Sequence, residues 1–447
     1  LSGEAAREDS LIDAVMHIGI DFGTTNSSLA AADAQGNVSL ITFPWREALT
    51  ESFRSLLYLE RWREGTRTTI KSWGGPLGIE RYLNADDKGR LIQSLKSFLT
   101  SHSLISTEIF GRQFQLEELI ARMLREIRAA AEAQLGTPVH KAVAGRPVRF
   151  VGSESAADDD FAEARLRKAY LKAGFEQITF ELEPVGAACH YESTLDHDEL
   201  IMIGDFGGGT SDFSLLQVGP SRRKNFAAGH QVLGNEGVAI AGDAFDAKIV
   251  RHLVSPALGA GTMLNSHGKL LPVPNWVYFK LERWHHLSFL KSRETLTMLQ
   301  SVATQALAPE QIRALLWMIE HDLGYPLHQA VQQVKARLST EEKAEFRFED
   351  GDVELREQVS RARFESWISE ELNAIETGVD QLLKSTGVDP AAVDKVFLTG
   401  GSSFVPAVRR IFSSRFGEEK IETGGEFTSV ARGLALRARD MAARDMA

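Results

Sequence analysis

Two short segments carry the residue types needed to grip a phosphate. In the first, His17-Ile18-Gly19-Ile20 ends on Asp21 and is followed by Phe22-Gly23-Thr24-Thr25-Asn26-Ser27. In the second, Leu200-Ile201-Met202-Ile203-Gly204 ends on Asp205 and is followed by Phe206-Gly207-Gly208-Gly209-Thr210-Ser211-Asp212. Both share one order: buried strand, carboxylate, aromatic, glycine, small hydroxyl residues. Phosphate oxygens need backbone N–H donors at close approach, which glycine permits. The hydroxyls of Thr24, Thr25 and Thr210 can add charge-assisted hydrogen bonds. Asp21 and Asp205, at strand ends, could hold Mg²⁺ through water, because that ion keeps much of its hydration shell. One such turn alone also reads as a plain hairpin tip. Two of them point to a paired phosphate grip. Neither carries the Gly-Lys-Ser/Thr of a Walker loop at a helix start.

Three weaker signals accompany the turns. Gly400-Gly401-Ser402-Ser403 follows an apolar strand and opens toward a helix, where a ring or phosphate can approach the backbone. By itself it is a tight turn. Glu183-Pro184 ends a strand and starts a helix; its carboxylate could orient an attacking water or serve as an electrostatic cap. Lys96 could clamp a transferring phosphoryl group. By spacing alone it reads as a solvated lysine on a helix face. Other features are bland. The histidines show no paired ligand spacing, so no transition-metal site is supported, and His285-His286 reads as surface. Asp158-Asp159-Asp160 reads as a solvated loop run. Arg222-Arg223-Lys224 is too short to argue nucleic-acid binding. Cys189 reads as a small core residue. No Gly-x-Ser-x-Gly nucleophile motif occurs.

These residues must be positioned by an alternation of strands and helices, which defines an α/β class. The two Asp-Phe-Gly turns each lead into further β-like sequence, Ser28-Leu29-Ala30 and Phe213–Val218, so each unit predicts a β-hairpin with a polar tip. The apolar spacing of Leu116, Leu119, Ile120, Met123, Leu124 and Ile127 predicts an amphipathic helix over 116–135, closed by Gly136. Val139–Ala144 and Ile178–Leu182 read as strands, and 160–173 as a helix capped by Gly174. Phe364, Trp367, Ile368, Leu372, Ile375 and Val379 mark one long helix. Val393–Thr399 reads as a strand, followed by a helix from about Pro406. The stretches 43–115 and 255–330 are poorly patterned and read as peripheral insertions. The recurrence from Asp21 to Asp205 is too long for a solenoid period and suggests two related lobes.

Composition bounds the function. The chain has 447 residues, enough for two or three domains or one duplicated fold. Its 61 acidic residues outnumber 50 basic ones, for a net charge of −11. Such a chain repels phosphate backbones and anionic membranes, so neither nucleic acid nor membrane is an expected partner. No apolar run reaches the ~18 residues of a membrane span. The one cysteine excludes an intramolecular disulfide and a thiolate zinc site, and suits a reducing cytoplasm. Residues 1–15 carry acidic groups and no apolar signal core, and read as an extension.

Taken in order, the motifs resemble the actin-like ATPase superfamily and, within it, the nucleotide-binding domain of the 70-kDa heat-shock chaperones. Ile18–Ser27 is similar to the first phosphate motif and Asp205–Asp212 to the second. Glu183-Pro184-Val185-Gly186-Ala187-Ala188 and Thr428–Ala435 resemble the two connecting motifs. Gly400-Gly401-Ser402-Ser403-Phe404-Val405-Pro406 resembles the adenosine motif. Gly242-Asp243-Ala244-Phe245-Asp246 and Ser360-Arg361-Ala362-Arg363-Phe364-Glu365 resemble segments carried by the chaperones. The stretches 144–150 and 94–99 look most like a YegD-like branch.

The resemblance implies an actin-like fold of two ribonuclease-H-like lobes around a nucleotide cleft, each lobe with an inserted subdomain. Lobe I would span 16–198, with its core at about 16–42 and 138–198 and its insertion at about 43–137. Lobe II would span 199–447, with its core at about 199–250 and 361–440 and its insertion at about 251–360. The resemblance implies a slow, switch-like ATPase using ATP/ADP and Mg²⁺. Lys96 and Thr210 would then face the γ-phosphate, and Glu183, Asp205 and Asp212 the attacking water. Asp21 and Asp205 would be associated with Mg²⁺. Gly23, Thr24, Thr25, Asn26, Gly207, Gly208 and Gly209 would cradle phosphates. Lys335, Gly400, Gly401, Ser402 and Phe404 would flank the adenosine. Two departures stand out: Gln332 replaces the usual adenosine-contacting Glu, and Phe404 replaces an arginine packed on adenine, where a ring can stack instead. Pro147 matches a proline linked to interlobe switching. The chain ends at Ala447, so the expectation is an ATPase module without the peptide-binding domain. A client or co-chaperone would be its partner. Two other readings use the same scaffold: a small-molecule kinase with Glu183 or Asp212 as base, and a nucleotide-binding scaffold or filament protein with little hydrolysis.

Overall fold

The computed structural model describes residues 16–65, 67–85, 89–193, 195–221, 231–283, 290–351, 353–422 and 428–445. The extension 1–15, His285-His286 and Arg222-Arg223-Lys224 lie outside the described residues.

Two sheets of one topology form the frame. In the first, β1 (His17–Phe22) and β2 (Asn26–Ala32) make an antiparallel hairpin, and β3 (Val38–Leu40) continues it. The short β4 (Phe53–Arg54) pairs with the start of β2. On the other side β5 (Lys141–Arg146) lies parallel to β1, and β6 (Gln177–Leu182) parallel to β5, giving the order β6-β5-β1-β2-β3. In the second sheet, β7 (Glu199–Phe206), β8 (Ser211–Val218) and β9 (Gln231–Val238) run antiparallel. Next come β10 (Lys395–Thr399), parallel to β7, and β11 (Ile421–Glu422), parallel to β10. The order β9-β8-β7-β10-β11 is the first sheet's order read backwards, with the same directions. The recurrence seen in the sequence is thus the duplication of a whole sheet. Both central strands are buried on two faces, which is why Ile18–Ile20 and Ile201–Ile203 read as nearly unbroken apolar runs.

Helices cover these sheets. Helix α1 (Leu116–Leu135) has the bounds that its spacing predicts. The Glu118 carboxylate accepts the Gln115 N–H at its start, and Gly136, with φ 71°, ends it. Its buried face includes Leu119, Ile120, Leu124 and Ile127, and each such side chain contributes about 1.5–3 kcal/mol. Helix α2 (Ala156–Ala173) begins before residue 160, with Ser155 as its N-cap. Asp158-Asp159-Asp160 is therefore not a loop run. It lies in the helix, with Asp158 and Asp159 in the acidic first turn that the helix dipole favours, and Asp159 also accepts the Phe150 N–H at 2.8 Å. Next in order are α3 (Glu183–Glu192), α4 (Gly242–Ile249) and α5 (Gly324–Thr340). The long helix expected around 364–379 is two helices, α6 (Arg361–Trp367) and α7 (Ser369–Thr386). The chain leaves helical geometry at the fully buried Ile368, whose ψ is 14°. Helices α8 (Pro406–Phe416) and α9 (Ser429–Asp445) complete the set.

Helices α3 and α9 cross between the sheets. A Cβ on Gly433 would lie 1.7 Å from the Gly186 carbonyl oxygen, so the crossing requires glycine. Around it, Val143, Val185, Ile201, Ile203, Leu216, Val430 and Leu434 form an apolar core that touches both sheets. Cys189 is buried there, as its reading as a core residue expects.

The poorly patterned stretches do have structure. Residues 43–115 hold a three-stranded sheet of Leu56–Glu64, Arg67–Gly74 and Arg90–Gln93. Within 255–330 lie the helices Arg293–Gln305 and Pro309–Glu320. Among the described residues, no helix is long and apolar enough to cross a membrane.

Candidate functional site

The tips of the two hairpins face each other across a cleft of about 570 Å³. Their approach is close: a Cβ on Gly208 would lie 1.9 Å from the Thr25 hydroxyl, so any larger residue there would force Thr25 to shift. One on Gly209 would meet Val151 at 2.9 Å, with Thr24 and Ser97 at 3.9 Å. The cleft therefore runs from the Lys96–Ser97 side, past the tips, to Asp243 and α5 on the other side.

At the first end, Lys96 sits on a short 3₁₀ helix, Leu95–Phe98. It is not a solvated lysine. Its side chain is 6% exposed and Nζ donates to Glu183 Oε1 at 2.7 Å. The buried Arg165 holds this helix from behind. Its guanidinium donates to the carbonyls of Phe98, Leu99, Ser101 and Leu104, and pairs with Glu117 at 2.9 Å. Glu183 opens α3 as predicted, but its carboxylate is spent on Lys96 and not on a simple cap.

Two further carboxylates face this pair. Asp21 and Asp205 are the last residues but one of β1 and β7, each just before its aromatic residue. Burial above all, with Glu183 and Asp205 as like charges, holds the Asp21 carboxyl well above its usual range, against the pull of Lys96. Asp205 is pushed up to about 6 by burial and then by Glu183. Thr399, its partner in the parallel register, donates to it at 2.6 Å and draws it back.

The cleft is lined by Asp21, Gly23, Thr24, Thr25, Asn26, Lys96, Glu183, Asp205, Gly207, Gly208 and Thr210. Lys335, Gly400, Gly401, Ser402 and Phe404 line its far end, together with Gln332 and Pro147. Two expected residues are set apart. Gly209 packs against Val151, and Asp212 lies behind the floor, 1% exposed, opposite Asp205 in the hairpin register. Burial holds the Asp212 carboxyl well up, and the Thr210 hydroxyl and the Arg149 N–H draw it back. Phe404 is 46% exposed and presents its ring at the cleft mouth.

Sequence reasoning missed Arg54, Asp243 and Asp246, which also line the cleft. The two aspartates lay inside a motif that was quoted without a role. Asp246 takes an ion pair from Lys335 at 2.6 Å, and Lys335 also donates to the Gly242 carbonyl at 3.3 Å. Asp243 is pushed up to about 6 by burial and then by Asp246. Arg54 gave no signal, since it falls in the stretch read as peripheral. Ala336, Ser339 and Thr340 follow Lys335 along α5 and were also overlooked.

A hard cation fits the first end. Asp21 and Asp205 are oxygen donors that burial has driven up for want of positive charge. The buried Asp212 Oδ1 and Thr25 Oγ1 have no hydrogen-bond partner. Among the described residues no three His, Cys, Asp or Glu side chains converge on one metal position. Two carboxylates suit an ion that keeps its waters and shares phosphate oxygens.

A family model described as Hsp70 protein matches residues 84–260 and 322–444. The chain is similar to the chaperone protein DnaK of Thermotoga petrophila, 24% identical over 432 residues, covering 95% of this chain and 59% of that protein. The DnaK of Thermotoga neapolitana is similar to the same extent. The chain thus spans well under two thirds of the length of the curated relatives that it matches.

Proposed function

Because the chain belongs to the Hsp70 protein family, and so has the actin-like ATPase fold, we propose that it is a chaperone-type ATPase, which binds Mg-ATP in the cleft and hydrolyses it slowly as a conformational switch. The observation that carries this reading is the buried Lys96–Glu183 pair facing Asp21 and Asp205 at one end of two opposed glycine tips.

On this reading the backbone N–H groups of the tips and the hydroxyls of Thr24, Thr25 and Thr210 hold the phosphates. Lys96 orients the terminal phosphoryl group and balances charge that builds during transfer. Glu183 keeps Lys96 aimed and, with Asp205, accepts hydrogen bonds from the attacking water. Asp212 supports Asp205 from behind. Asp21 and Asp205 would hold Mg²⁺ through water, and that ion supplies neutralisation of the phosphate oxygens. Lys335, Ser402 and Phe404 take the nucleoside, with the Phe404 ring stacking on the base. Closure of the two lobes around the nucleotide is the motion that would be passed to a protein client or co-chaperone. A cytoplasmic site of action suits a chain whose one cysteine is a buried thiol.

The test is ATP turnover with Mg²⁺ and no added substrate, beside Lys96→Ala and Asp205→Ala. Slow turnover lost in both variants is the expected result. Bound ATP without turnover overturns the hydrolase. A sugar or acid that becomes phosphorylated would identify the kinase reading, and nucleotide-dependent pelleting the filament reading.

A further inference from the structure

Arg54 is a cation without a role in the account above. Its strand β4 pairs Asn26 with Arg54 and Ser27 with Phe53, directly at the base of the first phosphate tip. Ser55 fixes the same junction: its N–H donates to the Thr25 carbonyl at 2.9 Å and its hydroxyl to the Gly23 carbonyl at 2.7 Å. The side chain is half-buried and lines the cleft. Nη1 donates to Asn26 Oδ1 at 3.3 Å, and Nη2 meets His328 Nε2 on α5 at 3.2 Å. Arginine stays charged and donates only, so His328 must accept with that nitrogen. Nε is buried with no hydrogen-bond partner.

A buried guanidinium is costly unless its donors and charge are answered. Asp243 and Asp246 lie near enough to act on its charge, yet one donor stays open. Arg54 sits with Asp243 and with His328 of α5, on the α5 side of the cleft. A nucleotide whose terminal phosphate lies at Lys96 would bring its inner phosphates past this point. We infer that Arg54 is a phosphate-binding residue, which donates to the diphosphate shared by ATP and ADP and, through His328, links the first tip to α5. This rests on the nucleotide reading of the cleft.

The test compares ATP, ADP and adenosine binding by calorimetry for the parent, Arg54→Ala, Arg54→Lys and His328→Ala, each checked for the parent's circular dichroism. Losing a hydrogen bond to a charged group lowers affinity by about tenfold to a hundredfold. Arg54→Ala is expected to lose that much for ATP and ADP alike and little for adenosine. Arg54→Lys should recover part of it, and His328→Ala should keep ADP affinity within a few fold. Equal losses in Arg54→Ala and His328→Ala would make Arg54 a structural link only and overturn the inference. So would an equal loss for adenosine, or no loss. If Arg54→Ala misfolds, the ADP-to-adenosine ratio of Arg54→Lys decides, with an unchanged ratio overturning the inference. A parent that binds no nucleotide overturns the cleft reading itself, and this inference with it.

Discussion

The Lys96–Glu183 pair yields an asymmetric prediction. The two groups are 6% and 9% exposed and 2.7 Å apart. Removing one partner of a buried pair typically costs about 3–5 kcal/mol, because the other is left uncompensated. Here the two losses should differ. Lys96 is the cation that draws down both Asp21 and Asp205, whereas Glu183 drives both up. Lys96→Met therefore leaves three buried carboxylates facing one another and should take the full cost. For a chain of 447 residues that lowers the melting temperature by about 3–5 °C. Glu183→Gln leaves Lys96 facing two carboxylates and removes a like charge from their company. Its cost should be about 1 kcal/mol or less. The double variant should recover at least ~1.5 kcal/mol over Lys96→Met, as neutral replacement of a buried pair is often tolerated. The assay is thermal melting of all four proteins without nucleotide, with ADP titrations to show that the cleft still binds. A Glu183→Gln variant less stable than Lys96→Met would refute this charge accounting, as would additive effects in the double variant.

Three more expectations can be checked directly. Burial, opposed by the Gly74 N–H and Arg122, pushes the Glu126 carboxyl up to about 7, above its unfolded value of 4.5. The folded chain then holds this proton more tightly, so the contribution of Glu126 to stability is most favourable below 4.5 and falls by about 3 kcal/mol as pH rises to 7. Glu126→Gln should gain on the parent between pH 5 and pH 8 in melting experiments, and a constant difference would refute this. Arg165→Lys keeps the charge but loses the fork that holds four carbonyls, and should cost roughly 2–3 kcal/mol in denaturant unfolding and slow ATP turnover. Gly208→Ala overfills the contact with Thr25, a change worth about 1–3 kcal/mol, and should weaken nucleotide binding by calorimetry. Adding Thr25→Ala should restore part of the stability but not the binding, because the Thr25 hydroxyl is itself a proposed phosphate contact.

Much of the site was legible because it is written in local grammar. A strand, an aspartate and a glycine tip form one contiguous unit, so both phosphate hairpins and their equivalence could be read from residue order. Helix α1 was equally plain, since its apolar stripe and terminal Gly136 are short-range signals. What failed was long-range. Lys96 reads as a surface lysine until Glu183, 87 residues on, is folded against it. Asp158 to Asp160 read as a loop because acidity alone does not reveal that Ser155 caps a helix there. The break at the buried Ile368 left no mark in the apolar spacing, which runs through it unchanged. Arg54 carries no motif at all, and β4, just two residues long, puts it beside the phosphate tip.

The sequence by itself thus determined the two hairpins, the α/β class and the family resemblance, because backbone geometry at glycine and the alternation of apolar residues are encoded within a few positions. The tertiary structure alone decided which charges meet. Whether a buried lysine or arginine is a liability or a working group depends on partners that arrive from distant strands and helices, and the energy of burying it is settled only when they do.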